Sequence, residues 1–404
     1  MAKLKPVQEA RDDILSQLPE CGAETILLAE ALGRIVAEDV RAGTSHPLAD
    51  ISAMDGYAVR SQDTGNDAQL QVIGESAAGH PFQGELADGD AIRIFTGAYL
   101  PKGADAIVLQ EETDESDNHI TASVPLSPGR YIRRRSQDFA RDDILLSPGD
   151  VITARSLSLC ALALQSKLLV KKQPSVALLS SGDELVPAGS LPRFGQMVNS
   201  NSVFLASFLR QQGAIVHDLG ILADEEGALT KAIDDPASYD LIISTGGASV
   251  GKYDFIVGDL QQSDEASLSF WKIAMRPGKP LISGKFGGTP FIGLPGNPVS
   301  VVVCALIFLQ PALAKLTGAK VQASLSKMAL CECDLPENDQ REDYLRGQSY
   351  QDDAGNWHFT AFDKQDSGML HQMVSANALG IRPPFAPALA QGDAIEIIAL
   401  PEGF

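Results

Sequence analysis

The sequence predicts a multidomain α/β plus β protein. A central doubly wound α/β domain is flanked by a helical N-terminal region, a β-rich second domain and a small C-terminal β domain. Three observations carry this. A chain of 404 residues exceeds what one hydrophobic core organises and suggests roughly two to four domains. Beyond Pro174, short apolar runs alternate with amphipathic segments, the pattern of a parallel sheet covered by helices. At 46–149 and 327–404, short apolar runs are instead broken by Gly, Pro and Asp, which is all-β texture.

In chain order, Pro6 followed by Val7, Ala10, Ile14, Leu15 and Leu18 reads as a helix opened by proline and carrying one buried stripe. Residues 25–32, closed by Gly33, read as a second helix. Residues 153–165 read as a third, running into KLLVKK and returning to pack on the first two. Between them AIRIFTG, ADAIVLQEE, HITASVPL and DILLSPGD are strand-like. In the central part, strands at 176–179, 215–219, 241–244, 269–274, 281–283 and 291–294 alternate with helices at 202–211, 225–233 and 255–261, before a helix over 298–316. Strands at 328–333, 344–348, 357–360 and 394–398 complete the C-terminal part. There is no internal repeat and no low-complexity linker.

Two loops of the central domain are built for an anion. LIISTGGASVGKYD (241–254) and FIGLPGNPVS (291–300) each run from an apolar strand through glycine into a helix start. Glycine lets the backbone approach a ligand, and successive N–H groups at such a turn form a nest for phosphate or another oxyanion. Two such loops in one domain point to a large, multiply charged ligand.

Composition narrows the partners. With 44% hydrophobic and 21% charged residues the chain folds as a soluble protein. The most apolar runs, 157–164 and 299–309, read as too short or too amphipathic for a membrane span, and the N-terminus lacks a secretion signal, so a cytoplasmic location is expected. A net charge of -20 argues against nucleic acid, whose binding needs basic surface. An anionic small ligand would need a local basic patch, and Arg133, Arg134 and Arg135 supply one candidate. The cysteines, at 21, 160, 304, 331 and 333, suggest neither a disulfide framework nor a zinc site. Cys331 and Cys333 read as small buried residues on one strand face.

Seven blocks, in order and spacing, resemble the MoeA family of molybdopterin molybdenumtransferases and the related gephyrin E domain. They are SAMDGYA (52–58), IFTGAYLPKGAD (94–105), IRRRSQDF (132–139), SSGDEL (180–185), STGGASVG (244–251), MRPGKP (275–280) and LPGNPVS (294–300). The resemblance implies a four-part subunit. Residues 1–45 and 147–174 would form a helical linker and dimerisation domain, and 46–146 a β-rich domain reaching the partner subunit's site. Residues 175–325 would form a MogA/MoaB-like molybdopterin-binding domain, and 326–404 a small β-barrel. It also implies a homodimer, no membrane and no nucleic acid, with a MogA-type adenylyltransferase and molybdoenzyme maturation proteins as partners.

The implied reaction inserts molybdate into adenylylated molybdopterin and releases AMP. Both substrates are anionic, so Lys272, Arg276 and Lys279 are the implied cations, with Lys272 and Arg276 the strongest candidates. The implied catalytic set is Asp55, Thr96, Asp138, Glu184, Asp224 and Asp254, the first three acting across the dimer interface. Glu184, Asp224 and Asp254 would hold Mg2+, although Asp224 could instead cap a helix. The other implied substrate contacts are Asp183, Thr245, Gly246, Gly247, Ser249, Gly251, Pro295, Gly296, Asn297, Pro298 and Ser300, with Arg346 and Ser375 suited to molybdate oxygens. This chain departs from the family pattern at Arg276, commonly lysine, at Lys252, within a loop often acidic there, and at TSHPLADI (44–51). A MogA-type adenylyltransferase and a gephyrin-like scaffold are the competing readings.

Overall fold

The computed structural model describes residues 4–246, 255–262, 267–270, 272–320 and 326–400. The first helix, Val7–Ser16, buries Val7, Ala10 and Ile14 against the last helix of the α/β domain, in the same core as Leu313 and Leu316. The expected second helix is not one. Ala23–Leu27 is a strand paired antiparallel with Lys167–Lys171, and only Leu28–Glu30 forms a short 3-10 turn. AETIL and KLLVK alternate with period two, so each supplies the other's backbone partners, and this ladder overrides the helical reading of both. The helix Ala154–Leu162 is present, opened by a reciprocal capping box between Thr153 and Ser156. The helical N-terminal region is therefore a mixed module around Val36, Ile152, Cys160 and Val170.

The second module is a six-stranded sheet in the order Ala106–Leu109, Gly56–Val59, Asp90–Ile94, Ala68–Ser76, His119–Ala122 and Asp114–Ser116. It closes over Tyr57, Val59, Leu70 and Ile120. Only glycine fits at 56, because a Cβ there would lie 1.9 Å from the Val108 carbonyl oxygen.

The α/β sheet runs Ile215–Leu222, Ser175–Ser181, Leu241–Thr245, Thr289–Leu294, Ile282–Phe286 and Ser267–Phe270. The first four strands are parallel, and residues alternate between two cores, Leu178 and Ile243 on one face and Leu179 and Ile242 on the other. The sheet is doubly wound as expected but not wholly parallel: the fifth strand, Ile282–Phe286, runs antiparallel to both its neighbours. The reason lies at Gly287 and Gly288, both at positive φ (54° and 80°), a two-residue turn that folds the adjoining strands into a hairpin.

The helix Pro298–Thr317 spans the expected segment. Its 20 residues are apolar enough by composition to cross a membrane (mean hydropathy 2.1), yet 78% of the apolar window is buried within the protein. A π-turn at Ala305–Leu309 precedes Pro311, which removes the clash that proline would otherwise make with the preceding turn.

The C-terminal module is a closed five-stranded barrel: Glu342–Gln351, Trp357–Ala361, Ser326–Cys331, Ala394–Ala399 and Ala378–Arg382, sealed by pairing of the first with the last. Phe359 fills it, over Gly347 and Gly380, where a Cβ would come within 2.5 and 2.6 Å of the ring. Met275–Arg276 leaves the α/β domain and adds to this sheet beside Glu342 and Asp343. That stitch brings the barrel against the ends of the parallel strands.

Candidate active site in the cleft between the α/β domain and the barrel

A cleft of about 730 Å³ opens beyond the carboxyl ends of the parallel strands, where doubly wound sheets place ligands. Ser181 ends one strand and Gly182 and Glu184 follow it, Gly246 follows the next and Pro295 and Gly296 a third, while Arg341 and residues 365–367 close it from the barrel side. The two glycine loops meet here. A Cβ on Gly296 would stand 3.9 Å from the Gly246 Cα, and one on Gly246, at φ 83°, would lie 2.1 Å from the Ser181 carbonyl oxygen. Asn201 ties the loops: its amide donates to the Gly296 carbonyl at 2.7 Å and to Thr245 Oγ1 at 3.2 Å, and Thr245 Oγ1 donates to the Pro295 carbonyl at 3.1 Å.

Asn297 precedes the helix, Pro298 is its first residue, and buried Ser300 lies in its first turn; Asn297 and Ser300 line the cleft. Asn297 also donates to Ser367 Oγ at 2.9 Å, and the Ser367 carbonyl accepts from Val299 at 3.2 Å, fastening the barrel segment over the helix start.

Two of the three expected metal-binding carboxylates, Glu184 and Asp224, line this cleft. Ser181 Oγ donates to Asp224 at 2.7 Å, and the Asp224 N–H donates to Asp183 at 3.1 Å. Asp224 is not a helix cap. Gly227 occupies the N-cap of the helix Ala228–Ala232, and buried Asp259 accepts from Gly227 and Leu229 at 2.8 and 3.0 Å. Among the described residues no three acidic, His or Cys side chains converge as a metal cage. Asp254, with Gly247, Ser249, Gly251 and Lys252, lies outside the described residues.

Of the expected cations, Arg276 and Lys279 line the cleft and Lys272 does not. Lys279 is exposed, with no hydrogen-bond or ion-pair partner for its ammonium among the described residues. Lys272 is half-buried, and its carbonyl accepts from the Lys5 N–H. Arg276 pairs with Asp343, and with Asp339 at 3.4 Å. Arg341 hydrogen-bonds Asp339 at 2.7 Å and holds that carboxyl down at about 2. Arg341, Asn201, Asp366 and Ser367 escaped the sequence reading, because their position depends on the barrel docking and on helix packing rather than on any local motif.

Asp55, Thr96 and Asp138 lie on the second module and do not line this cleft. Asp55 Oδ1 accepts from the Thr96 N–H at 2.7 Å and Oγ1 at 2.8 Å, which holds its carboxyl below the usual range. Asp138 is exposed, and its N–H donates to the His46 carbonyl. The loops carrying them are joined by the pairing of Ile51–Ser52 with Ile132–Arg133 and by the Ser52 N–H donating to the Ala98 carbonyl. Arg134 of the basic patch pairs with Asp50 at 2.6 Å.

The chain matches, in order, the family models for the MoeA N-terminal region (domain I and II) over 5–163, a "Probable molybdopterin binding domain" over 177–315 and the MoeA C-terminal region (domain IV) over 329–400. A Haemophilus influenzae protein named molybdopterin molybdenumtransferase is 36% identical over 395 residues, covering 97% of both chains. This chain belongs to the MoeA family. A Nostoc protein of the same name is 34% identical over 94% of this chain and 89% of its own. The crystal structure of a MoeA protein from Pyrococcus horikoshii superposes with a TM-score of 0.84, at 27% identity over 98% of this chain and 100% of that one.

Within the MoeA frame, Arg346 and Ser375 stand apart from the cleft. Arg346 is wholly buried beneath the barrel segment: Nη2 reaches the Lys364 carbonyl at 3.4 Å, Nε and Nη1 have no partner among the described residues, and burial lowers its pKa. Ser375 is exposed, its hydroxyl donating to the His371 carbonyl at 3.0 Å.

Proposed function

We propose that this chain is a molybdopterin molybdenumtransferase, converting adenylylated molybdopterin and molybdate to molybdenum cofactor and AMP. The observation that carries the reading is the latched pair of glycine loops, Gly246 against Gly296, opening onto a helix start with Lys279 and Arg276 beside it. Backbone N–H groups and these cations take the diphosphate oxygens, whose charge grows as the linkage to AMP breaks. Lys279 supplies a point charge, while Arg276 supplies a planar fork suited to two oxygens and unsuited to proton transfer.

Glu184 and Asp224 offer oxygen donors to Mg2+, which binds through one or two carboxylates plus substrate phosphate and keeps several waters. When bound, it would neutralise phosphate charge. Ser181 orients Asp224, and Asp183 fixes the same turn.

The protein acts as a homodimer in this reading, with Asp55, Thr96 and Asp138 completing the partner subunit's cleft. Their exposure, and their absence from the cleft of their own subunit, support this.

Incubation with adenylylated molybdopterin, with and without molybdate, tests the proposal. AMP release that requires molybdate supports it. Consumption of ATP and molybdopterin to make the adenylylated compound would identify an adenylyltransferase instead, and no turnover of either kind would favour a scaffold.

A further inference from the structure

Arg93 is built into the second module by neutral groups alone. It stands opposite Tyr57 in the antiparallel ladder, and its guanidinium lies over the Tyr57 ring, 4.9 Å from the centroid, and over the Phe95 ring at 5.1 Å. Nη1 donates to the Gly56 carbonyl at 3.3 Å and Nη2 to the Gln110 side chain. Tyr57 is itself fixed, being buried with its hydroxyl donating to Glu115 at 2.7 Å. Arg60, Arg130 and Arg134 of the same module each pair with a carboxylate, whereas half-buried Arg93 pairs with none among the described residues. Clamping an arginine costs side-chain entropy, and here the clamp leaves its charge free to act on a group it does not touch.

That group is Asp55. Gly56, whose carbonyl Arg93 holds, follows Asp55 directly, and Thr96, which donates twice to Asp55 Oδ1, lies three residues after Arg93. Hydrogen bonds from Thr96 keep the Asp55 carboxyl ionised, and the charge of Arg93 adds to them. Oδ2 of this exposed residue has no hydrogen-bond partner among the described residues. The acids around the clamp are each engaged by a neutral donor, Glu115 by Tyr57 and Glu111 by Gln110 at 3.0 Å, and Arg93 is the charged group that acts on Asp55.

We infer that Arg93 is a positioning residue for Asp55: it anchors the turn through Gly56 and holds a fixed positive charge beside the carboxylate, so that Asp55 remains an anion when it meets bound phosphate and Glu184 and Asp224 of the partner subunit. The inference rests on the reading of Asp55 as completing that subunit's cleft. Phosphates and carboxylates crowd Asp55 with like charge, which by itself favours its protonated form. The cleft's own charged lining, Glu184, Asp224 and Asp366 against Arg276, Lys279 and Arg341, is balanced before any substrate arrives and offers no surplus cation. Arg93 travels with Asp55 and supplies one.

Glycine ethyl ester is coupled to the full-length protein with a water-soluble carbodiimide, which attacks protonated carboxyls. Label at Asp55 is followed by peptide mass spectrometry from about pH 5 to about pH 6.5, with exposed Asp12 on the first helix as internal reference. Arg93→Gln is expected to label Asp55 at least about threefold faster than wild type at a given pH, the change in protonated fraction for about half a pKa unit, and Arg93→Lys to stay near wild type. In turnover, the acid limb of kcat for AMP release moves up in Arg93→Gln, Arg93→Lys restores it, and Arg93→Gln adds nothing in an Asp55→Asn background. Equal labelling of wild type and Arg93→Gln, equal acceleration in the Gln and Lys variants, or an Arg93→Gln effect that persists in full beside Asp55→Asn overturns the inference. If Arg93→Gln does not fold, Phe95→Leu, which opens one side of the clamp, takes its place: faster coupling than wild type supports the inference and an unchanged rate overturns it. Molybdate-dependent AMP release is scored separately. Its presence with unshifted labelling sinks the role of Arg93 alone, and shifted labelling in its absence sinks the functional reading alone.

Discussion

The Asn201 side chain donates to the Gly296 carbonyl at 2.7 Å, and through Thr245 it also braces the end of the strand that leads into Gly246. One amide from the helix Ser200–Gln211 therefore sets the spacing of two anion loops that are distant in sequence. Asn201→Ala removes both bonds. With each net bond worth about 1 kcal/mol, kcat/KM for AMP release is expected to fall by up to about thirtyfold, with the melting temperature shifted by only a few degrees. Unchanged kinetics would mean that the loops hold their spacing without the latch.

Gly246→Ala sets a Cβ 2.1 Å from the Ser181 carbonyl, at a φ of 83°. Backbone must move, so a loss of roughly 2 kcal/mol or more in unfolding free energy is expected, together with loss of turnover. Chemical denaturation of the variant beside Gly296→Ala, whose Cβ meets only ordinary contact, separates strain from loss of the nest.

Lys279 presents an exposed ammonium to the cleft. Lys279→Ala is expected to lower kcat/KM roughly tenfold to a hundredfold, the range for a charge-assisted hydrogen bond, while Lys279→Arg keeps much of the activity. Steady-state assays across ionic strength provide the check, because the wild-type rate should fall more steeply with salt than that of Lys279→Ala, in which Arg276 alone of the pair remains.

Asp339 titrates at about 2, held there first by its hydrogen bond to Arg341. Its folded pKa lies below the unfolded value, so the stabilisation is present above roughly pH 4 and is lost as pH falls toward 2. Thermal melts of wild type and Asp339→Asn should therefore differ at pH 5 and converge between pH 4 and pH 2. A constant gap across that window would remove the Arg341 contact as its cause.

If Asp55 serves the partner subunit, Asp55→Ala and Glu184→Ala homodimers are each defective, yet mixing and reassembling them restores activity. Random exchange places one intact site in each mixed dimer, giving about a quarter of the wild-type rate. No recovery after demonstrated exchange would place Asp55 and Glu184 in the same subunit's site or outside any site.

Local chemistry determined what could be read in order along the chain. The alternation beyond Pro174, the glycine loops at 246 and 296 and the seven motif blocks depend on side-chain period and backbone permissiveness, both properties of neighbouring residues. Tertiary structure alone decided the rest. Residues 25–27 became a strand because KLLVK, some 140 residues later, offered a ladder, and Arg276 met Asp343 because Met275–Arg276 crosses into the barrel sheet. Arg346, implied by the resemblance as a contact for molybdate oxygens, was sealed under the barrel segment instead. Pairing and burial between distant segments are set by the free energy of the assembled core, which no window of sequence contains.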